Sequence, residues 1–163
     1  MGLIQFTNQT RADADEVNQN FDFLLKHKVK YYEPSGSSHS STSWANRLDV
    51  DLTGGGDDIQ SYMFTWDMMF KANGNSTMAY RFIVTLDDDT EITEDIGGIT
   101  SAVSTPTYAR RFGSFNYTIK IKKIELEISA TVGGGGIEVI SGSGDRGLAN
   151  VRPEVVVFGY DGY

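Results

Sequence analysis

Apolar and polar residues alternate along most of the chain after residue 28, which is the pattern of half-buried β-strands. Two stretches of this kind are long and rich in aromatic residues. The first consists of Tyr62, Phe64, Trp66, Met68 and Phe70, and the second of Met78, Tyr80, Phe82, Val84 and Leu86. Asn73-Gly74 lies between them and is a strong signal for a tight turn. The sequence therefore predicts a central hairpin of two long strands.

Shorter alternating or apolar runs surround this pair and predict further strands. They lie at residues 29–33, 48–52, 117–132, 137–140 and 155–158, with a less regular stretch at 92–103. The alternation changes phase between Ile121 and Ile124, which predicts a β-bulge at Lys122 and Lys123. About seven or eight strands at short spacing predict a mainly β fold, an antiparallel, jelly-roll-like β-sandwich.

The first 28 residues follow a different pattern, which predicts a short N-terminal α-helix over residues 13–25. Asp13 is placed to cap the first turn, and Glu16 completes a capping box. The apolar positions are spaced by three, four and three residues, as in a coiled-coil seam: Ala14, Val17, Phe21 and Leu24. A seam of about two heptads is too short to hold a coiled coil alone. The stripe therefore covers either this chain's own β domain or a sister copy.

Residues 6–21, FTNQTRADADEVNQNF, resemble the opening of tailed-virus (bacteriophage-like) appendage proteins, which has the form F-x-N-G-T-x-A-x-A-x-x-V-N-x-N-F. Gln9 stands where glycine is common in that pattern. The resemblance implies a homotrimeric tail fibre, head fibre or capsid decoration protein whose N-terminal segment faces the particle. It implies an arm at 1–28 and a β-sandwich domain at 29–163. The oligomer interface would be Ala14, Val17, Phe21 and Leu24, and the particle-docking residues would be Leu3, Ile4 and Phe6.

Composition narrows the function classes further. The 163-residue chain has no cysteine, which excludes disulfide bonds and thiolate metal sites. Its net charge of −8 argues against a nucleic-acid partner, since phosphate binding needs a basic face. We expect no membrane insertion, because no apolar run of about 18 residues is present, and no secretory signal is visible. These features fit a virion protein that is made in the host cytoplasm.

The sequence carries no pattern typical of a catalytic, cofactor or metal site. Asp87-Asp88-Asp89 with Glu91, and Asp57-Asp58, have carboxylates suited to Ca²⁺ but lack EF-hand spacing. His39 stands in a serine-rich loop that lacks the context of a catalytic triad. We therefore expect no enzyme, and a glycan hydrolase is the least favoured class.

Aromatic residues are the candidate ligand-binding groups. Tyr31, Tyr32 and Trp44 flank the serine- and glycine-rich loop at 34–42. Rings of this kind stack on sugars or anchor protein interfaces, although core or subunit packing is their more common role. They predict an alternative function, in which the chain is a virion adhesin that binds a host surface glycan.

Overall fold

The computed structural model describes residues 27–53, 59–102, 105–132, 136–140 and 154–161. These residues form eight strands, and every strand pair is antiparallel. The strands are β1 His27–Tyr32, β2 Ala45–Asp51, β3 Ile59–Ala72, β4 Thr77–Leu86, β5 Glu91–Thr100, β6 Thr107–Val132, β7 Ile137–Val139 and β8 Glu154–Asp161. The mainly β, antiparallel prediction is confirmed. The predicted N-terminal helix lies outside the described residues.

Strand β6, with 26 residues, connects two halves of the sheet. The first part of β6 pairs with one edge of β3. The other edge of β3 pairs with β8 and, further along, with β7. Strand β1 pairs with the other edge of β8. The second part of β6 lies between β2 and β4, and β4 pairs with β5. We call these groups the β3 half and the β4 half. Their inner faces pack against each other through aromatic rings, including Phe64 and Phe82 with centroids 5.4 Å apart.

The predicted hairpin between the two aromatic strands is wrong, although the turn exists. The Ser76 backbone N–H donates to the Asn73 carbonyl at 3.1 Å, and Asn75, not Gly74, adopts a positive φ of 59°. Both edges of β3 are occupied by β6 and by β8 with β7, so β3 and β4 do not pair. The turn instead folds β4 over β3. The rings of Phe70 and Tyr80 therefore stack with centroids 3.9 Å apart.

The predicted bulge in β6 is confirmed, and it marks the passage between the two halves. Leu86 is opposite Ile121 and Thr85 is opposite Lys123, so Lys122 has no partner in β4. One extra residue reverses the side on which all following side chains lie. As a result, Ile121 and Ile124 are both fully buried despite their odd spacing.

Two further strands differ from the expectation. Strand β1 spans His27–Tyr32, where the sequence predicts a strand over residues 29–33. Residues 91–100 form the regular outer strand β5 where the sequence predicts an irregular stretch. Exposure alternates regularly along β5 from Glu91 to Gly97, and the alternation is interrupted at Gly98.

Candidate functional site

The outer surface of the β3 half carries several exposed apolar side chains, which share their rows with polar residues such as Thr65, Ser114 and Asn116. Because Phe64, Trp66 and Met68 point inward, the residues between them in β3 point outward. Directly opposite residues in neighbouring strands lie on the same face. One row across β1, β8 and β3 consists of Val29, Phe158 and Met63. The next row consists of Tyr31, Val156 and Thr65. Phe112 is opposite Asp67 in the row after that. We define the apolar face as Val29, Tyr31, Met63, Phe112, Val156 and Phe158.

Several of these side chains are unusually exposed for their type. The exposed fraction is 76% for Phe112, 62% for Tyr31, 46% for Val29 and 38% for Phe158. Single exposed apolar residues are ordinary, but a contiguous apolar patch marks an interaction site. The face therefore has the character of a contact surface.

Two ion pairs lie on or near the apolar face, and Glu154, opposite Asp67, adds a carboxylate outside these pairs. Arg110 and Asp67 form a bidentate ion pair. The Arg110 Nε donates to Asp67 Oδ1 at 2.9 Å, and this hydrogen bond raises the pKa of Arg110. Lys71 Nζ lies 3.2 Å from Glu138 Oε1. Since each of these pairs has no net charge, the face offers aromatic and aliphatic area, with Glu154 as a carboxylate that the pairs do not neutralise.

The outer surface of the β4 half has the opposite character. Asp49 is opposite Glu125 in the neighbouring strand. Arg81 lies between Glu127 on one side and Asp95 on the other. We define the acidic face by six carboxylates and two cations: Asp49, Asp51, Glu91, Asp95, Glu125, Glu127, Arg81 and Lys123. A hydrogen bond from Lys123 to Glu125, with its N–O distance of 2.9 Å, raises the lysine pKa. The face remains negative after this pairing.

A cavity of about 630 Å³ lies between the end of β1, the following loop and β2. Tyr31, Tyr32, Glu33, Arg47 and Asp49 are among its lining residues. The Arg47 Nη1 donates to the Asn46 carbonyl at 2.9 Å, and its Nε is buried without a hydrogen-bond partner among the described residues. Partial burial lowers the pKa of Arg47. The cavity thus combines aromatic rings with donor and acceptor groups.

The structure does not bring the third predicted aromatic residue to this cavity. Trp44 stacks under Arg81, whose Cζ lies 4.0 Å from the ring centroid, and Arg81 is also paired with Glu127 at 2.9 Å. Trp44 therefore belongs to the acidic side of the molecule. Of the predicted set, only Tyr31 and Tyr32 line one cavity.

The remaining sequence candidates hold structural contacts. His39 Nε2 lies 2.7 Å from the Ser43 carbonyl oxygen, and its backbone forms a bridge to Ile137. Asp87 and Asp89 are paired with Lys120 and Lys122, while the Thr90 backbone N–H lowers the pKa of Asp88. Among the described residues no group of three or more metal-ligating side chains is present. The other predicted site residues lie outside the described part. They are Asp57-Asp58, the interface residues Ala14, Val17, Phe21 and Leu24, and the docking residues Leu3, Ile4 and Phe6.

Sequence reasoning missed the apolar face, although one signal points to it. Residues 155–158 form an unbroken apolar run, VVVF, which predicts a strand covered on both faces. Val155 and Val157 are fully buried in the core, so Val156 and Phe158 must point outward. The positions opposite them come from the other end of the chain, and their proximity is visible only in the fold.

Comparisons with known proteins find solved structures of similar fold, but they match the chain to no family. No family model matches the chain, and no curated protein matches it. Solved structures of infectious bursal disease virus are similar in fold. The Gx strain structure has a TM-score of 0.50 at 13% identity, and the match covers 83% of this chain and 37% of that one.

Two further structures of the same virus agree with this likeness. VP2 in derived T=1 particles gives a TM-score of 0.51 at 13% identity over 82% of this chain and 32% of VP2. The T13 viral particle gives 0.50 at 12% identity over 83% of this chain and 31% of that one. This chain thus spans about a third of the length of the chains it matches. The described part contains no helix suited to crossing a membrane.

Proposed function

We propose that this chain is a non-enzymatic structural protein of a virus particle, built on a jelly-roll-like β-sandwich. The observation that carries the proposal is the fold likeness to VP2 of infectious bursal disease virus over 82% of this chain. The two packed sheet halves joined by β6 support the sandwich architecture. The apolar face supports a role in assembly, since a contact surface of this kind suits a repeated subunit.

Within the particle, the chain acts as a homotrimeric capsid decoration or as a head or tail fibre protein. The predicted arm supplies docking through Leu3, Ile4 and Phe6, and association through Ala14, Val17, Phe21 and Leu24. Its partners are sister copies and other virion proteins of the capsid or tail. Repeated subunits add avidity, so that each docking contact can be weak.

The mass of the full-length protein in solution tests the oligomer. Light scattering coupled to size exclusion, at micromolar concentration, is expected to give three times the chain mass of 18.0 kDa. The Val17→Asp/Phe21→Asp variant is expected to lower this mass, because charge in the predicted seam opposes burial. A wild-type chain that runs as a monomer would contradict the trimer.

A glycan-binding adhesin is the second candidate, favoured by the cavity that Tyr31 and Tyr32 line with Arg47. An exposed ring beside hydrogen-bonding groups suits the apolar and hydroxyl surfaces of a sugar. On a glycan array, Tyr31→Ala is expected to weaken binding roughly tenfold through lost stacking. Trp44→Ala is the matched control and is expected to leave binding unchanged, because Trp44 lies outside the cavity. Absence of any signal from the wild-type protein rejects the adhesin, and a loss confined to Trp44→Ala rejects this cavity as its site.

A further inference from the structure

We propose that the apolar face is the surface through which one copy of this chain contacts a second copy, while the acidic face remains in solvent. The inference rests on the proposed homo-oligomer and deepens it by assigning the contact surface within the β domain. It depends only on residues whose placement the structure describes.

The first step is the extent of the face. Tyr31 lies in β1 and Phe112 in β6, three strand positions away across β8 and β3. Neighbouring strands lie about 4.8 Å apart, so these two rings bound a strip about 14 Å wide. Val29 and Phe158 extend it by a further row. In an assembled copy, each of these side chains would lose water contact, which is favourable for apolar surface.

The second step is charge, which decides between the two outer surfaces. The chain carries a net charge of −8, so copies repel one another unless they meet where charge is low. Six carboxylates on the acidic face would oppose their equivalents in a like-to-like contact. On the apolar face, Asp67 is neutralised by Arg110 and Glu138 by Lys71. These pairs leave the Glu154 carboxylate, opposite Asp67, without neutralisation. The apolar face nevertheless brings far fewer like charges together in a copy than the acidic face does.

The third step is the nature of the partner. A strongly charged partner would bury more ions than the Glu154 carboxylate on the apolar face could neutralise, and unpaired buried ions are costly. A second aromatic, nearly neutral surface has no such penalty, and the same chain supplies one at equal concentration. Aromatic residues such as Tyr31 and Phe112 are also the type that carries most binding energy in interfaces. A second copy is therefore the occupant that fits.

Charge placed on the face provides the first test. The full-length Tyr31→Glu/Phe112→Glu variant is expected to weaken self-association at least about 100-fold, since two interface anchors are lost. Trp44→Glu is the matched control, because it replaces an aromatic residue that is 38% exposed, equal to Phe158, but on the acidic side. Sedimentation velocity measures the mass, and circular dichroism checks that the β structure is retained.

A thiol probe identifies what covers the face. The chain has no cysteine, so Ser114→Cys introduces a single thiol in the same row as Thr65 and Tyr31. Thr93→Cys places one on the outer surface of the β4 half, opposite Ile83, as a control. We expect maleimide to label Ser114→Cys at least ten times more slowly than Thr93→Cys in the oligomer, and equally fast once the Glu double variant has removed association.

The outcomes separate the inference from the proposed function. If wild type is oligomeric and the Glu double variant keeps its mass, the apolar face is not the interface and the inference fails, while the oligomer stands. Rapid labelling of Ser114→Cys in the oligomer leads to the same conclusion. Slow labelling in a species of monomer mass assigns the face to this chain's own arm and overturns the second-copy occupant. A wild-type monomer with rapid labelling rejects the proposed oligomer itself.

Discussion

Replacing Phe82 with alanine is expected to lower the free energy of unfolding by about 3–5 kcal/mol, the usual cost of truncating a buried phenylalanine. Phe82 is fully buried and lies in β4, but its ring contacts come from the other half of the sheet. Its centroid lies 5.4 Å from that of Phe64, 5.5 Å from that of Trp66 and 6.1 Å from that of Phe115. The cavity left by alanine would open at the junction between the two halves. Urea denaturation followed by tryptophan fluorescence measures the change.

Thr85→Ala serves as the control for Phe82→Ala. It lies in the same strand, but its side chain points outward opposite Lys123 and Glu91, so we expect a change within about 0.5 kcal/mol. A loss below about 1 kcal/mol for Phe82→Ala would contradict the packing of β4 over β3. Near-ultraviolet circular dichroism gives independent evidence, because the Trp66 environment should change only in the Phe82 variant.

Strand positions could be predicted because the alternation of side chains is a local property. Tyr80, Phe82 and Val84 share one face in any strand, whatever its neighbours are. The bulge could be predicted for the same reason, since Ile121 and Ile124 can both be buried only if one residue is added between them. These inferences need no knowledge of which strand lies beside which.

Strand pairing could not be predicted in the same way. Asn73-Gly74 suits a hairpin turn, and the turn is present, but hydrogen bonding by β3 is decided by the distant strands β6, β7 and β8. Once both edges of β3 are occupied, β4 can contact it only through side chains. The parallel contact of Phe70 and Tyr80 is the result. The turn sequence therefore predicts that the chain reverses direction, but it does not predict which strands pair with each other.

The same distinction between local patterns and strand pairing applies to the candidate site. Tyr31 and Tyr32 are adjacent in sequence, so any cavity at the end of β1 brings both close to it. Trp44 is separated from them by a loop that is hydrogen-bonded to other strands, including the bridge from His39 to Ile137. The apolar face combines β1 and β8, from opposite ends of the described chain, with β3 and β6. Its existence follows from strand order, which local patterns do not encode.

Deleting Lys122 is expected to prevent folding, which is the largest effect that the structure predicts for a single residue. Without the bulge, one part of β6 must turn over relative to the other. Ile124, Leu126 and Ile128 are fully buried, and each would lose about 1.5–3 kcal/mol on exposure. The total approaches the whole stability of a typical domain, about 5–15 kcal/mol. Lys123, Glu125 and Glu127 would enter the core at the same time. Proton NMR dispersion and the soluble yield measure the outcome.

Lys122→Ala separates the effect of the extra residue from that of its side chain. This variant keeps the bulge and the Lys122 carbonyl, which accepts from the Leu52 N–H at 2.9 Å. It removes the ion pair with Asp89, in which the side chains of Lys122 and Asp89 are 39% and 76% exposed, and solvent-exposed pairs contribute about 1 kcal/mol or less. We therefore expect a folded protein close to wild type in stability. A Lys122 deletion that also folds with near wild-type stability would show that β6 can shift its register, and that the bulge does not hold the two halves of the sheet in place.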